Sequence, residues 1–356
     1  MNQTNPTDAA RVPARTMVTG ATGLLGGNVV RALLAGGASE VVALVRDVER
    51  ARRLLPADGR VRVVAGDIGD VAGIRPAMAG LDAIIHTAAY FREYYQPAPD
   101  IGLLYRTNVD AVHELLHAAA DAGVPTFVHT SSTGTLGPGP GGAPADEDTP
   151  PAPDVGRSDY RGSKVAAEAV VRMFGADRGV RVPIVLPGWM WGPGDAAPTS
   201  AGRLFLAVAN GQLRAVPRAS NHVVDARDVA DAAVRAAVDG QALRRYIVAG
   251  RRLTLPEITD AIATATGAGA PRSVPMALAT MAATVMEVEA RIRGGEPVAS
   301  RKGLDVLRTT GYPISSARAE RELGVRCRPF AQTLADMADW YRAEGMLGAV
   351  PVDQGA

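Results

Sequence analysis

The sequence predicts an α/β protein: a doubly wound parallel sheet followed by a smaller, mostly helical C-terminal part. Three observations carry this expectation. From Thr16 onward, short β-branched runs alternate with longer segments of helical periodicity. The short runs are apolar throughout, as befits strands covered on both faces. A glycine-spaced turn joins the first of them to the first helix.

Residues Met1 to Arg15 are polar, contain two prolines and lack an apolar stretch, so they read as a loose tail and not a signal peptide. The first strand then leads into helix Leu24–Ala35. Further strands are expected at Val41–Val45, Val61–Ala65, Ala83–His86, Phe127–Thr130 and Val182–Leu186, with helices at Val109–Ala120 and Tyr160–Phe174. Leu136–Asp154 is a Gly/Pro-rich loop, long enough to be functional or mobile, and Pro187–Ser200 is a second. Helix Val229–Val238 and strand Tyr246–Ala249 follow. Beyond Leu253 the pattern is helical, at Pro256–Thr266, Met276–Arg291, Ser316–Leu323 and Phe330–Glu344, with Ser316 and Pro329 as start signals. The expected organisation is a core at 16–195 plus about 222–250 and a cap at 196–221 and 251–346, between tails at 1–15 and 347–356.

Composition narrows the function classes. Hydrophobic residues make up 47% of 356, enough for a large core. The 38 basic and 37 acidic residues cancel without a basic block, which excludes an electrostatic grip on nucleic acid. One cysteine, Cys327, excludes an internal disulfide and a cysteine-rich metal site. The longest apolar uncharged stretch, Ser273 to Met286, is too short for a bilayer of ~30 Å, so a cytoplasmic protein without a membrane partner is expected.

The turn after the first strand reads Thr19-Gly20-Ala21-Thr22-Gly23-Leu24-Leu25-Gly26. Gly20 permits a tight turn, Gly23 lets backbone approach a pyrophosphate, and Gly26 lets helix pack on strand. Phosphates then meet the free N–H groups of a helix N-terminus, the Rossmann arrangement for a dinucleotide. The second strand ends in Val45-Arg46-Asp47. A carboxylate there suits the ribose of NAD, whereas an arginine suits the 2′-phosphate of NADP. Arg46 favours NADP and Asp47, one place later, blurs the signal.

Further motifs follow in order: Gly66-Asp67, His86-Thr87-Ala88-Ala89, Thr107-Asn108-Val109, Thr130-Ser131-Ser132, Tyr160-x-x-x-Lys164, Pro187-Gly188-Trp189, Val224–Ala230 and Ala319–Gly324. Together they make the chain resemble the extended short-chain dehydrogenase/reductase family, most nearly its branch of dihydroflavonol-reductase-like proteins and hopanoid-associated sugar-epimerase-like proteins. The resemblance implies a cofactor site of Gly20, Thr22, Gly23, Leu24, Leu25, Gly26, Arg46, Asp67, Ile68, Thr87, Ala88, Ala89, Thr130, Lys164, Pro187, Gly188 and Trp189. It also implies a C-terminal part that binds substrate, and catalysis by Ser132, Tyr160 and Lys164, with Asn108 ordering the site. Asn108 reads equally well as a helix N-cap before Val109. Asp67 would face the adenine, or simply close a turn at a strand end.

The chemistry is legible in the residues themselves. Tyr160 and Lys164 share a helix face, and a phenol becomes an acid–base catalyst near neutral pH when a cation stabilises its phenolate. Lys164 is one of only two lysines, with Lys302, in a chain that otherwise uses arginine. Ser132, with Ser131 as the alternative, stands at the carboxyl edge of the sheet, placed to hydrogen-bond a carbonyl oxygen.

Tyr90, Phe91, Tyr94 and Tyr95 cluster after the fourth strand, as loop packing or as an aromatic wall for a flat substrate, and Thr133 and Trp191 are further candidates for substrate contact. His113-Glu114-Leu115-Leu116-His117 matches a zinc pattern but lacks a third ligand and lies on the flank of a buried stripe, so no metal is expected. Cys327 lies between arginines without a nearby base and reads as a free structural thiol.

Three functions remain. The first is NADPH-dependent reduction of a ketone or aldehyde on a small organic substrate. The second is nucleotide-sugar epimerisation with tightly held NAD, for which Arg203, Arg227 and Arg301 offer a diphosphate clamp. The third, a non-catalytic redox-sensing module, has no need of the Tyr160/Lys164 pair. A sugar dehydratase is disfavoured because Thr133-Gly134 occupy the place of its acidic pair. The partner expected is a small-molecule carbonyl compound, with a homodimer as the assembly considered.

Overall fold

The computed structural model describes residues 12–91, 99–175, 178–293, 304 and 311–348. Seven strands form one wholly parallel sheet: β1 (Arg15–Thr19), β2 (Glu40–Val45), β3 (Val61–Ala65), β4 (Ala83–His86), β5 (Phe127–Thr130), β6 (Ile184–Pro187) and β10 (Arg245–Val248). Their order is β10-β6-β5-β4-β1-β2-β3. The chain reverses its winding between β1 and β4, and the crevice beyond their carboxyl ends is where such sheets take ligands.

Alternation along each strand feeds two cores. Met17, Val42 and Ile84 point to one face, where α3 (Val71–Ile74), α5 (Ala111–Asp121) and α6 (Asp159–Phe174) pack. Val18, Val41 and Ile85 point to the other, under α1 (Leu24–Ala35), α8 (Ala226–Asp239) and α11 (Ala317–Leu323). Both faces are covered, which is why the strands read as apolar runs.

The C-terminal part is helical, with α9 (Leu255–Thr266), α10 (Met276–Arg293) and α12 (Phe330–Ala343), but it also contains strands. β7 (Trp189–Trp191), β9 (Ser220–Asp225) and β11 (Arg251–Thr254) make a second sheet, and β8 (Ala215–Pro217) pairs with β12 (Arg272–Val274). With α7 (Ser200–Ala209), these elements enclose a third core of Trp191, Phe205, Ile258, Met337 and Tyr341. The sequence reading of Pro187–Ser200 as plain loop, and of everything beyond Leu253 as helix, is corrected here. β7, β8 and β12 are three residues long, too short to display a period.

Two other expectations change. The segment Leu136–Asp154 is pinned: Ala145 exchanges backbone hydrogen bonds with Pro313 and Ser315, both 2.8 Å, and Gly137 N–H donates to Pro150 O at 2.8 Å. The helix expected from Val109 begins at Ile101. α4 (Ile101–Tyr105), capped by Asp100 accepting from Leu103 N–H at 2.8 Å, runs through a π turn at Arg106–Asp110 into α5. Between β2 and β3 lies α2 (Val48–Leu54). Among the described residues, no helix is long and apolar enough to cross a membrane.

Candidate active site

The glycine turn has the shape its spacing implies. Gly20 has φ +66°, and a Cβ there would lie 2.9 Å from the backbone of Ala88 at the end of β4. At Gly26 a Cβ would lie 2.2 Å from Gly20 O, so this helix–turn contact admits only glycine. Gly23 is the N-cap of α1 with no side-chain cap, and no acidic residue occupies the first turn. The first N–H groups of α1 are thus left for an anion. Thr19 ties the turn to β4: its hydroxyl accepts from Thr87 N–H at 3.2 Å and Ala88 N–H at 3.3 Å, and its carbonyl accepts from Thr87 Oγ1 at 2.7 Å. Thr22 is half-buried, Leu24 and Leu25 are buried, and Ala89 is half-buried at the crevice rim. A cradle that side chains would fill, at an uncapped helix start, fits a dinucleotide.

The two residues at the end of β2 differ in their local contacts. Asp47 is the N-cap of α2, its carboxylate accepting from Arg50 N–H at 2.9 Å. Arg46 is exposed and makes no ion pair among the described residues. Asp67 is exposed and accepts from Gly69 N–H at 2.8 Å, a turn closure beyond β3, with buried Ile68 beside it.

β5 and α6 carry the residues expected to do acid–base work. Ser132 lies two residues beyond β5 and caps a short turn, accepting from Gly134 N–H at 3.1 Å. Ser131 is buried and donates to Glu168 at 2.5 Å, whereas Ser132 is half-buried. Ser158 starts α6 as its N-cap, with Tyr160 in the first turn. Lys164 is buried, and its ammonium donates to Thr130 O at 2.9 Å, locking α6 onto the end of β5. Burial pulls its pKa down to about 8 while the Glu168 carboxylate pulls the other way.

Asn108 is not an N-cap. It sits in the π turn, buried, where its Oδ1 accepts from Tyr90 N–H at 2.8 Å and its Nδ2 donates to Ser163 Oγ at 3.0 Å and Tyr90 O at 3.3 Å. It therefore ties the segment after β4 to α6, one residue before Lys164. Tyr90 turns its hydroxyl back to accept from Asp100 N–H at 3.1 Å, and the Phe91 ring meets Tyr160 edge-on at 5.0 Å. Tyr94 and Tyr95 lie outside the described residues. Thr133 is half-buried in the Ser132 turn.

Other expected residues land elsewhere. Trp191 has no exposed surface and packs against Trp189 and Phe330 in the third core, so it lines no substrate pocket. Pro187 ends β6, and Gly188 passes so close to Ala249 O and His222 O that a Cβ would lie 2.8 and 3.0 Å from them. Trp189 donates its indole N–H to Ser200 Oγ at 3.0 Å. Arg227 is held by Asp225 at 2.6 Å and Asp336 at 2.7 Å, which occupies one cation of the suggested diphosphate clamp. Arg301 lies outside the described residues. The rings of His113 and His117 lie tilted against each other at 4.6 Å, and His117 meets Phe174 edge-on at 5.3 Å, beside the buried stripe of Val112, Leu115, Leu116 and Ala119. The Cys327 thiol is free and exposed, its pKa pushed up to about 11, foremost by desolvation. Sequence reasoning missed Glu168, whose only local signal is its place four residues after Lys164.

Known proteins share this chain's sequence pattern and fold. A model of the NAD dependent epimerase/dehydratase family matches residues 16–249. The chain is 34% identical over 337 residues to sterol demethylase protein B of Methylococcus capsulatus, covering 93% of this chain and 99% of that protein. It is 32% identical over 335 residues to a putative dihydroflavonol 4-reductase of Synechocystis, covering 92% and 94%. Among solved structures, dTDP-glucose 4,6-dehydratase from Streptomyces venezuelae with NAD bound superposes with a TM-score of 0.74 at 27% identity, covering 94% of this chain and 98% of that one.

Proposed function

Since the chain belongs to the NAD dependent epimerase/dehydratase family of extended short-chain dehydrogenases/reductases, an oxidoreductase lineage, we propose that it is an NADPH-dependent reductase of a ketone or aldehyde on a flat, apolar substrate. The observation that carries the reading is the Lys164–Thr130 hydrogen bond, which sets the Tyr160 helix against the turn holding Ser132. Bound NADPH supplies the hydride. Ser132 donates a hydrogen bond to the carbonyl oxygen and continues to hold it as charge develops there. Tyr160 gives its phenolic proton to that oxygen, completing the alcohol, and Lys164 stabilises the phenolate left behind.

Gly20, Gly23 and Gly26 with the α1 N-terminus hold the pyrophosphate in this reading, and Arg46 the 2′-phosphate. The capping role of Asp47 supports NADP, because its carboxylate is already used. The aromatic contact between Phe91 and Tyr160 favours an apolar substrate, as do the sterol- and flavonol-related names of two relatives. Segments 196–221 and 251–346 would cover that substrate.

The test is NADPH consumption over a panel of sterol-like, flavonoid-like and simple carbonyl compounds, with calorimetry of UDP- and dTDP-sugars on the cofactor-loaded protein. Turnover of a polycyclic ketone is the expected result. Micromolar binding of a nucleotide sugar, with no response to any ketone, would replace this reading with the NAD-dependent epimerase.

A further inference from the structure

Arg161, Lys164 and Glu168 occupy one buried face of α6, at the spacing of adjacent helical turns. All three side chains end on the segment 130–135. Lys164 donates to Thr130 O at 2.9 Å, and Arg161 Nε donates to Gly134 O at 2.9 Å. Glu168 accepts from Ser131 Oγ at 2.5 Å and from Thr135 Oγ1 at 3.1 Å. Ser132 lies in the middle of that segment and is gripped from both sides.

A carboxylate this deep persists only with partners. Glu168 accepts from Arg172 at 3.1 Å and lies 3.2 Å from Arg245 Nε of β10. Arg245 also donates to Thr135 Oγ1 and to Glu147 O, both at 2.9 Å. Arg318 of α11 pairs with Asp148 at 2.6 Å and approaches Glu147 at 3.7 Å. On the opposite side, Lys164 faces His129 of β5 and His86 of β4, which burial keeps neutral. Tyr160 stands one turn before it on α6.

We infer that Glu168 is a positioning residue of the active site, fixing the Ser132 turn against α6 and providing the buried counter-charge for the Lys164 ammonium. This deepens the reductase reading and rests on it for the tasks of Ser132 and Lys164. Two effects separate Glu168 from a merely structural residue. Removing its negative charge lowers the pH at which Lys164 and its neighbours lose protons, and it releases Ser131, next to Ser132.

The test uses the scarcity of lysine. With only Lys164 and Lys302 in the chain, protein carrying isotope-labelled lysine gives two side-chain NMR signals, and Lys164→Arg assigns them. In Glu168→Gln, the Lys164 titration midpoint is expected to fall by about one pH unit relative to the native protein. Glu168→Asp, which keeps the charge, is expected to restore most of it. In carbonyl reduction, kcat of Glu168→Gln falls about tenfold, the alkaline limb of the pH profile moves to lower pH, and KM for the cofactor holds. If Glu168→Gln does not fold, it is made in an Arg245→Met background, where the cation that the carboxylate balances is already gone, and the Lys164 midpoint of the double variant is expected below that of Arg245→Met alone. A Glu168→Gln midpoint equal to that of its parent, native or Arg245→Met, overturns the inference. The titration needs no substrate, so the absence of any reducible carbonyl would sink the reductase reading alone.

Discussion

The ring of Phe91 stands edge-on to that of Tyr160, with centroids 5.0 Å apart and planes at 62°. The segment leaving β4 thereby touches the proposed proton donor on α6, while Asn108 ties the same two segments through Tyr90 and Ser163. An edge-on aromatic pair contributes about 1 kcal/mol beyond the area it buries. Phe91→Ala is expected to lower kcat/KM for a flat ketone roughly fivefold. Phe91→Tyr should stay near native. Steady-state kinetics on both variants decides the matter, and an Ala variant with native kcat/KM would detach Phe91 from the site.

Tyr160→Phe keeps the ring and its contact with Phe91 but removes the transferable proton. Turnover should drop by roughly 10²–10⁴-fold. Cofactor affinity, measured by fluorescence titration, should be unchanged. Native-like turnover would remove Tyr160 from the mechanism.

Arg46 and Asp47 should separate cleanly. Arg46→Ala is expected to weaken NADPH binding by roughly 1.5–3 kcal/mol, the loss of a charged hydrogen bond, with NADH unaffected. Asp47→Ala should leave cofactor preference alone and cost about 1 kcal/mol of stability, because it uncaps α2. Equal weakening of both cofactors in Arg46→Ala would argue against an NADP site.

The buried histidines make stability depend on pH. Burial depresses His86 to about 3, and His129, with neither ring nitrogen hydrogen-bonded, well below its ordinary 6.5. The unfolded chain therefore takes up these protons first. Their contribution is intact above pH 6.5 and is lost as the pH falls from there toward the folded values. Each histidine is expected to cost about 1.4 kcal/mol per pH unit in that window. Urea unfolding at pH 7, 6 and 5 should show His129→Leu losing less stability than the native chain by that amount. Parallel losses in the two proteins would mean that His129 is not buried neutral.

By itself the sequence determined the class of fold and the local patterns from which the expected chemical positions are read. Apolar runs at Val41–Val45 and Ala83–His86, the glycine spacing from Gly20 to Gly26, and the four-residue step from Tyr160 to Lys164 are local patterns. Each is enforced by backbone geometry within a few residues, so each can be read without knowing its neighbours in space. Strand β7 of the second sheet escaped because it is three residues long and pairs with a strand some thirty residues away.

Only the tertiary structure decided how each polar group is used. Ser131 and Ser132 are adjacent in sequence, and Glu168, reaching from α6, draws one of them inward. Arg227 is free to serve a diphosphate until Asp336 of α12 comes against it. Trp191 resembles a pocket residue until Phe330 covers it. Adjacent Arg46 and Asp47 give opposing cofactor signals, and the start of α2 engages Asp47 as its N-cap. The reason is common to all four: a side chain is available for chemistry only if folding has not already satisfied its charge, its hydrogen bonds or its apolar surface. For three of them the satisfying partner comes from an element distant in sequence.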